Sequence, residues 1–277
     1  MYNLKNKVAL ITGASGKKGI GRSIALRLAK EGVDIAINDI KKSKRISKKN
    51  TGLINLSKEI EKIGRKSLIL EGDVSKSSDV ISIFKKLNKE FGRLDILINN
   101  AAAPANLDRV PLIHLNEKIW DNIIKVNLKG TFLCCKYAAK LMIKKKSNGK
   151  IINISSTIGK DYVKPNYAAY ASSKFGVRGL TQVLAKELGK YGIQVNAICP
   201  GVIITERTKD IAKSLYNKNT KINDAIKKYT NENLKETPLG RLCSTNDVAQ
   251  LVAFLASSES DFITGKSITL DGGKHTD

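Results

Sequence analysis

Histidine, aromatic residues and acids are all in short supply in this sequence. Only His114 and His275 occur among 277 residues. Neither has acidic partners at ligand spacing, so both read as surface residues rather than as a base or metal ligands. The four cysteines, at 134, 135, 199 and 243, form no CxxC pair and no metal spacing. That excludes a disulfide framework and a zinc site, and points to the thiols of a reducing cytosol. No run approaches the roughly eighteen apolar residues of a membrane helix. The opening "MYNLKNKVALITGASG" has a short apolar run that a glycine turn interrupts at once, which reads as a first strand rather than a signal peptide. A soluble, cytoplasmic protein with no membrane partner is expected.

Acids are outnumbered 25 to 49 by Lys and Arg, for a net charge of +24. Such a charge raises the question of nucleic acid. Lysine dominates over arginine, the better fork for phosphates and bases. The lysines are scattered over most helical patterns, and aromatics make up only 5%. A basic stripe interleaved with stacking aromatics is therefore missing, and no nucleic-acid partner is expected.

What is present is rhythm. Apolar segments at 7–12, 33–38, 67–71, 95–99, 150–155, 193–198 and 267–270 alternate with amphipathic segments near 20–31, 53–63, 76–91, 117–146, 168–190 and 245–256. Near-continuous Ile/Val/Leu strands belong to a parallel sheet covered on both faces. Repeated β-α alternation gives an α/β, doubly wound (Rossmann) sheet of about seven strands with helices on both faces. A single dinucleotide-binding catalytic domain over 1–277 is expected. Two segments break the rhythm. Residues 41–52, "KKSKRISKKNTG", read as a solvated loop. Residues 202–238 exceed what a strand-to-helix connection requires and read as a substrate lid, with Ile211, Leu215, Ala225, Ile226 and Tyr229 as its apolar underside.

After the first strand comes "TGASGKKGIGRSIA", with Gly13, Gly16, Gly19 and Gly21. Glycine permits the tight turn and close approach of a pyrophosphate, and the helix starting near Ile20 offers free N–H groups to the anion. Asp39 lies at the end of the second strand, where its carboxylate can accept from both hydroxyls of an adenosine ribose and repel a 2′-phosphate. Lys17, Lys18 and the basic run at 41–49 oppose that. A strand-fixed carboxylate is the better guide to geometry than lysines on loops, so NAD is favoured over NADP.

With these residues in view, the chain resembles the short-chain dehydrogenase/reductases in their single-domain branch. The likeness rests on "TG…GIG" at 12–21, "DV" at 73–74, "NNAA" at 99–102, "VNLKG" at 126–130, "NISS" at 153–156, "YASSK" at 170–174, "CPG" at 199–201 and "DGG" at 271–273, in that order over nearly the whole chain. Two departures stand out. Five residues rather than three separate Gly13 from Gly19, and Ala102 replaces a usual glycine. The resemblance implies a cofactor set of Gly13, Ser15, Gly19, Ile20, Gly21 and Asp39 on the adenosine and phosphate side. It adds Asp73 and Val74 at the adenine, the Asn100–Ala101 backbone at the ribose, and Ile203 and Thr205 at the nicotinamide carboxamide. It also implies a homotetramer or homodimer, with the helices at 117–146 and 168–190 packing across subunits.

Two tyrosines precede one lysine in "NYAAYASSK". Oxidising an alcohol by hydride transfer needs a base near neutral pH, and a free phenol near pKa 10 is too weak. An ammonium one helical turn away lowers that value. Tyr170 and Lys174, at i and i+4, share a helix face. Tyr167 stands two turns from Lys174, the YxxxxxxK spacing of enoyl-thioester reductases. Tyr170 is taken as the general acid/base and Tyr167 as a pocket wall. Ser156 ends the strand "KIINIS" and can hold the substrate oxygen, whereas alternation sends Ser155 to the opposite side. The resemblance implies that Asn127 binds a water linking Lys174 to solvent and that Lys174 bonds the nicotinamide ribose. The catalytic set is Asn127, Ser156, Tyr170 and Lys174, with no metal.

The expected function is an NAD(P)-dependent oxidoreductase interconverting a secondary alcohol and a ketone. "SSKFGVRGLTQ" and "PLGR" (238–241) look like stretches of both polyol or acetoin dehydrogenases and 3-oxoacyl-thioester reductases. The basic surface lends the second some support because acyl carrier protein is acidic. Rival readings are an enoyl-thioester reductase and a non-enzymatic dinucleotide-sensing or nucleic-acid-binding protein on the same fold.

Overall fold

Along each central strand, alternate side chains enter opposite layers, and this explains the unbroken apolar runs. Ala9 and Ile11, Ile35 and Ile37, and Ile96 and Ile98 join one buried cluster with Ile24, Leu28 and Leu56. Leu10, Ala36 and Leu97 join a second with Phe84, Leu133 and Met142 on the far side. A computed structural model describes all residues except 1, 3, 41–50, 106, 161–162, 217–219 and 277. The whole basic run at 41–49 thus lies outside the described residues.

The strands are β1 (Val8–Thr12), β2 (Asp34–Asp39), β3 (Ser67–Glu71), β4 (Ile96–Asn99), β5 (Lys150–Ile154), β6 (Gln194–Pro200) and β7 (Ser267–Leu270). They form one parallel sheet in the order β3-β2-β1-β4-β5-β6-β7. All seven apolar segments of the sequence became strands. The order reverses between β1 and β4, which opens a crevice beyond their carboxyl ends. Helices α1 (Ile20–Lys30), α2 (Thr51–Lys62) and α9 (Thr245–Ala256) cover one face. The other is covered by α3 (Ser77–Phe91), α5 (Gly130–Lys144) and α6 (Ala168–Leu188). No described helix is long and apolar enough to cross a membrane.

The amphipathic segment at 117–146 is not one α-helix. It divides into α4 (Glu117–Ile124) and α5, joined by a π-helical turn over Lys125–Lys129. An extra residue in one turn marks functional positions in many helices. Here Asn127 accepts from the Ala103 N–H at 2.8 Å and donates to Ser173 Oγ at 3.0 Å. The long segment after β6 folds as α7 (Thr208–Leu215) and α8 (Ile222–Lys235), pinned by Tyr216 Oη donating to Glu232 at 2.6 Å. Ala225 and Tyr229 are buried beneath it. Leu215 is not: it ends α7 at 37% exposure, outside the expected underside.

Candidate active site

The crevice begins in main chain. Gly13 has φ +68°, and a Cβ there would come within 2.7 Å of Ala101 Cα. A Cβ on Gly21 would meet Asn100 Nδ2 at 2.6 Å and the Gly13 carbonyl at 2.8 Å. Asn100 is the latch that needs this space. Its Nδ2 donates to the carbonyls of Thr12 and Gly13, each at 2.9 Å. The amides of Asn100 and Ala101 both donate to Thr12 Oγ1.

The two additional loop residues are absorbed as a turn. Gly19 N donates to Gly16 O at 3.1 Å, which lifts Lys17 and Lys18 into solvent. Arg22 Nε closes the turn from behind by donating to Lys17 O. α1 then starts with no side-chain cap and no acid in its first turn. Its leading N–H groups and positive end are left for an anion.

A groove of about 490 Å³ runs from this turn along the strand ends. Gly13, Gly19, Ile20 and Asp39 line it on one side, and Asp73, Val74, Asn100 and Ala101 on the other. Asp39 is fixed by its neighbours' amides. Oδ2 accepts from Ser15 N at 2.9 Å and Oδ1 from Ile40 N at 2.8 Å. Asp73 Oδ1 caps Ser75 N.

Two members of the expected cofactor set line neither this groove nor the cavity it opens into. Ser15 stands behind Asp39, with its carbonyl where a Cβ on Gly52 would fall at 2.1 Å. Gly21 is a packing position against Asn100. Both shape the loop from behind rather than border the groove.

The groove opens into a cavity of about 170 Å³, and the two share Ile20, Asn100, Ala102, Thr205 and Arg207. Ser156, Tyr170, Lys174, Ile203 and Thr205 line this cavity. Helix α6 is held at the strand ends by buried bonds: Asn153 Nδ2 donates to Thr181 Oγ1 at 2.9 Å, and Ser155 Oγ donates to Lys174 O at 3.0 Å. Lys174 is buried and donates from Nζ to Ile154 O at 2.8 Å. That ammonium lies 5.8 Å from the centre of the Tyr170 ring. Burial acts to raise the Tyr170 phenol. Lys174, Arg207, Arg109 and the Ser156 hydroxyl together outweigh it, and the phenol lies below its ordinary value. Burial lowers the Lys174 ammonium, against the pull of Tyr170. Tyr167 shows the opposite balance. Burial pushes its phenol up more than Arg109 and Lys164 draw it down.

Ser156 and Ser155 divide as the strand alternation predicts: Ser155 anchors α6, while Ser156 Oγ accepts from Ile158 N and reaches Tyr170. Asn127 does not line the cavity. Its side chain ties Ala103 to Ser173, and Ser173 Oγ donates to Tyr170 O at 2.7 Å. Its carbonyl accepts from Thr131 Oγ1. Thr205 is partly a turn residue, its amide donating to Thr208 Oγ1.

One sequence expectation is corrected. His114 is exposed, but His275 borders the cavity, with Nδ1 2.6 Å from Asp271 Oδ2. Asp271 and His275 are four residues apart, a spacing visible in "DGGKH". Arg109, Lys164, Arg207 and Lys274 also border the cavity and were missed. The guanidinium of Arg109 stacks 3.8 Å from the Tyr167 ring centre and 4.5 Å from that of Tyr170. Arg207 Nη2 donates to Ala103 O at 2.6 Å. The available signal was position: 109 and 207 follow β4 and β6, beyond strand carboxyl ends.

A parallel sheet with this reversal, a glycine turn at a bare helix start, and a tyrosine-lysine pair on one helix define a dinucleotide-dependent oxidoreductase. The family model described as enoyl-(acyl carrier protein) reductase matches residues 13–275. A short-chain dehydrogenase/reductase of Armillaria gallica is 40% identical, covering 97% of this chain and 96% of its own. From Staphylococcus epidermidis, a 3-oxoacyl-[acyl-carrier-protein] reductase is 36% identical (98% and 99% covered), and an (S)-acetoin-forming diacetyl reductase is 37% identical (97% and 98%). The solved structure of NAD+-bound xylitol dehydrogenase superposes with a TM-score of 0.84 at 29% identity, covering 97% of this chain and 99% of that one. The chain belongs to the short-chain dehydrogenase/reductase family and is an NAD(P)-dependent oxidoreductase of the alcohol/ketone type.

Proposed function

We propose that the enzyme interconverts a secondary alcohol and a ketone, with Tyr170 moving the proton at the substrate oxygen. The observation that carries this is the lowered Tyr170 phenol, whose ring centre lies 5.8 Å from the buried Lys174 ammonium. The nicotinamide cofactor supplies or accepts the hydride when bound. In the reducing direction Tyr170 donates its proton as charge develops on the carbonyl oxygen, and in the oxidising direction the phenolate takes it back. Ser156 holds that oxygen. Lys174 favours the phenolate and bonds the ribose. Asn127 acts through Ala103 and Ser173, positioning the segment that carries Tyr170.

Gly13, Gly19, Ile20, Asp73, Val74, Asn100, Ala101, Ile203 and Thr205 border the space for NAD(P). NAD is preferred because the Asp39 carboxylate is held in the groove by two amides while Lys17 and Lys18 stand off it. α7 and α8 act as the lid, presenting Ile211 and Tyr229 to the cavity. The catalytic unit is a single domain that assembles as a homotetramer or homodimer in the cytoplasm. Its substrate is a small hydroxy compound of the acetoin or polyol kind or a 3-oxoacyl thioester, in keeping with the names of its relatives.

The enoyl-thioester reading has the family model's description in its favour. It needs Tyr167 as the acid, and that phenol is raised and stacked under Arg109. The test is a screen of alcohols with NAD and NADP, and of ketones, 3-oxoacyl and enoyl thioesters with NADH and NADPH. Ketone reduction that Y170F abolishes is expected. Reduction of only the enoyl thioester would overturn the proposal.

A further inference from the structure

Arg207 borders both the groove and the cavity, where the two spaces join. Its Nη2 donates to Ala103 O at 2.6 Å. Ala103 follows β4 and Arg207 follows β6, and β5 lies between those strands in the sheet. The bond therefore spans the carboxyl end of β5, where Ile154, Ser155 and Ser156 border the cavity and are buried. Arg207 is only half-buried, which places it nearer the mouth than those three residues.

Both ends of this bond are anchored. On the β4 side, Ala103 N donates to Asn127 Oδ1 at 2.8 Å, and Asn127 leads through Ser173 to Tyr170 O. On the β6 side, Thr205 N donates to Thr208 Oγ1 at 2.9 Å and Thr208 N to Thr205 O at 3.1 Å, which closes the turn that enters α7. Glu206, in the same turn, leans toward the glycine turn: its Oε2 lies 3.3 Å from where a Cβ on Gly16 would stand. Residues 205–207 thus reach the glycine turn with one side chain and the loop after β4 with the next. The two side chains carry opposite charges and both border the groove, so together they offer little net pull on a phosphate, and Arg207 Nη2 is committed to a carbonyl.

We propose that Arg207 is a clasp: its bond to Ala103 O closes the crevice over the nicotinamide half of a bound dinucleotide, and opening of that bond gates release of the cofactor. This rests on the reading of the groove and cavity as the space for NAD(P). A dinucleotide that runs from the glycine turn to Tyr170 passes from one space into the other, and Arg207 stands at the join. On that reading adenosine diphosphate, which lacks the nicotinamide ribose, stops short of the clasp. Release that waits for a contact to open slows in proportion to how rarely the open state is populated.

Stopped-flow fluorescence of NADH and NADPH release from wild type, R207M and R207K tests this, with calorimetric titration of adenosine diphosphate beside it. R207M should release the reduced cofactor about 10- to 100-fold faster, the worth of a hydrogen bond to a charged group. Its affinity for adenosine diphosphate should stay within about twofold of wild type, which also shows that the groove of the variant is folded. Only one N–H of Arg207 reaches Ala103, so a single ammonium donor can replace it, and R207K should recover most of the slow release.

Unchanged release from R207M would overturn the clasp and leave the cofactor reading standing. So would tighter binding through faster association, the sign of a side chain that stands in the cofactor's way. Equal losses of affinity for NADH and adenosine diphosphate would also overturn it, since they mark a contact to phosphate. A wild type that binds neither NADH nor NADPH would overturn the cofactor reading, and the clasp with it.

Discussion

The two ends of the crevice are built from different material. The end at the glycine turn is made of backbone: Gly13 in a left-handed conformation, a helix start without a side-chain cap, and Asn100 clamping the loop. The end around Tyr170 is made of side chains from separate segments, with Arg109 after β4, Ser156 after β5, Tyr170 and Lys174 on α6, Arg207 after β6, and His275 beyond β7. On the proposed reading, main chain meets what every substrate pair shares, the dinucleotide. Side chains carry what differs between substrates. Damage at the first end should therefore act through cofactor binding and stability, and damage at the second through rate and selectivity.

Removing the cation beside the phenol gives the largest expected effect. K174M should lower kcat by about 10²- to 10⁴-fold, the range of general acid-base catalysis. The sign of its pH effect also follows. Loss of a positive neighbour raises the Tyr170 phenol, so the rise of alcohol oxidation with pH, centred below 10 in the wild type, moves upward. A kcat–pH profile checks both.

Next comes the backbone end. G13A places a Cβ 2.7 Å from Ala101 Cα at φ +68°. It should cost about 2–3 kcal/mol of stability and most of the NADH affinity, read by thermal unfolding and fluorescence titration. A G13A enzyme with unchanged NADH binding but altered substrate selectivity would break the comparison.

D39S removes the groove carboxylate on which the proposed preference for NAD rests. The NADP/NAD ratio of kcat/KM should rise by about tenfold, a change of about 1.4 kcal/mol.

The smallest effect lies outside both ends. Ser244 and Asp247 form a capping box at α9, and S244A should cost about 1 kcal/mol of stability with kcat unchanged.

The sheet and the placing of Tyr170 beside Lys174 were legible because both rest on local spacing. Runs such as "VALIT" and "ILIN" are buried on both faces, and Tyr170 and Lys174 lie one turn apart on α6. The π turn at Asn127 was not legible, since the side chain that exploits it bonds residues 24 and 46 positions away. Ser15 falls outside the groove lining because the glycine turn absorbs its two additional residues away from the groove. Arg109 and Arg207 left no periodic trace, for each stands in a loop whose place is set by the strand before it. His275 did leave one, in Asp271 four residues earlier, which pulls the chain end against the cavity.

The measurement that bears most directly on the account is the single-turnover hydride-transfer rate of Y170F beside Y167F, both saturated with cofactor. Y170F should fall by at least about 10²-fold and lose the pH-dependent rise, with Y167F remaining within about tenfold of wild type. A crippled Y167F beside an active Y170F would contradict it.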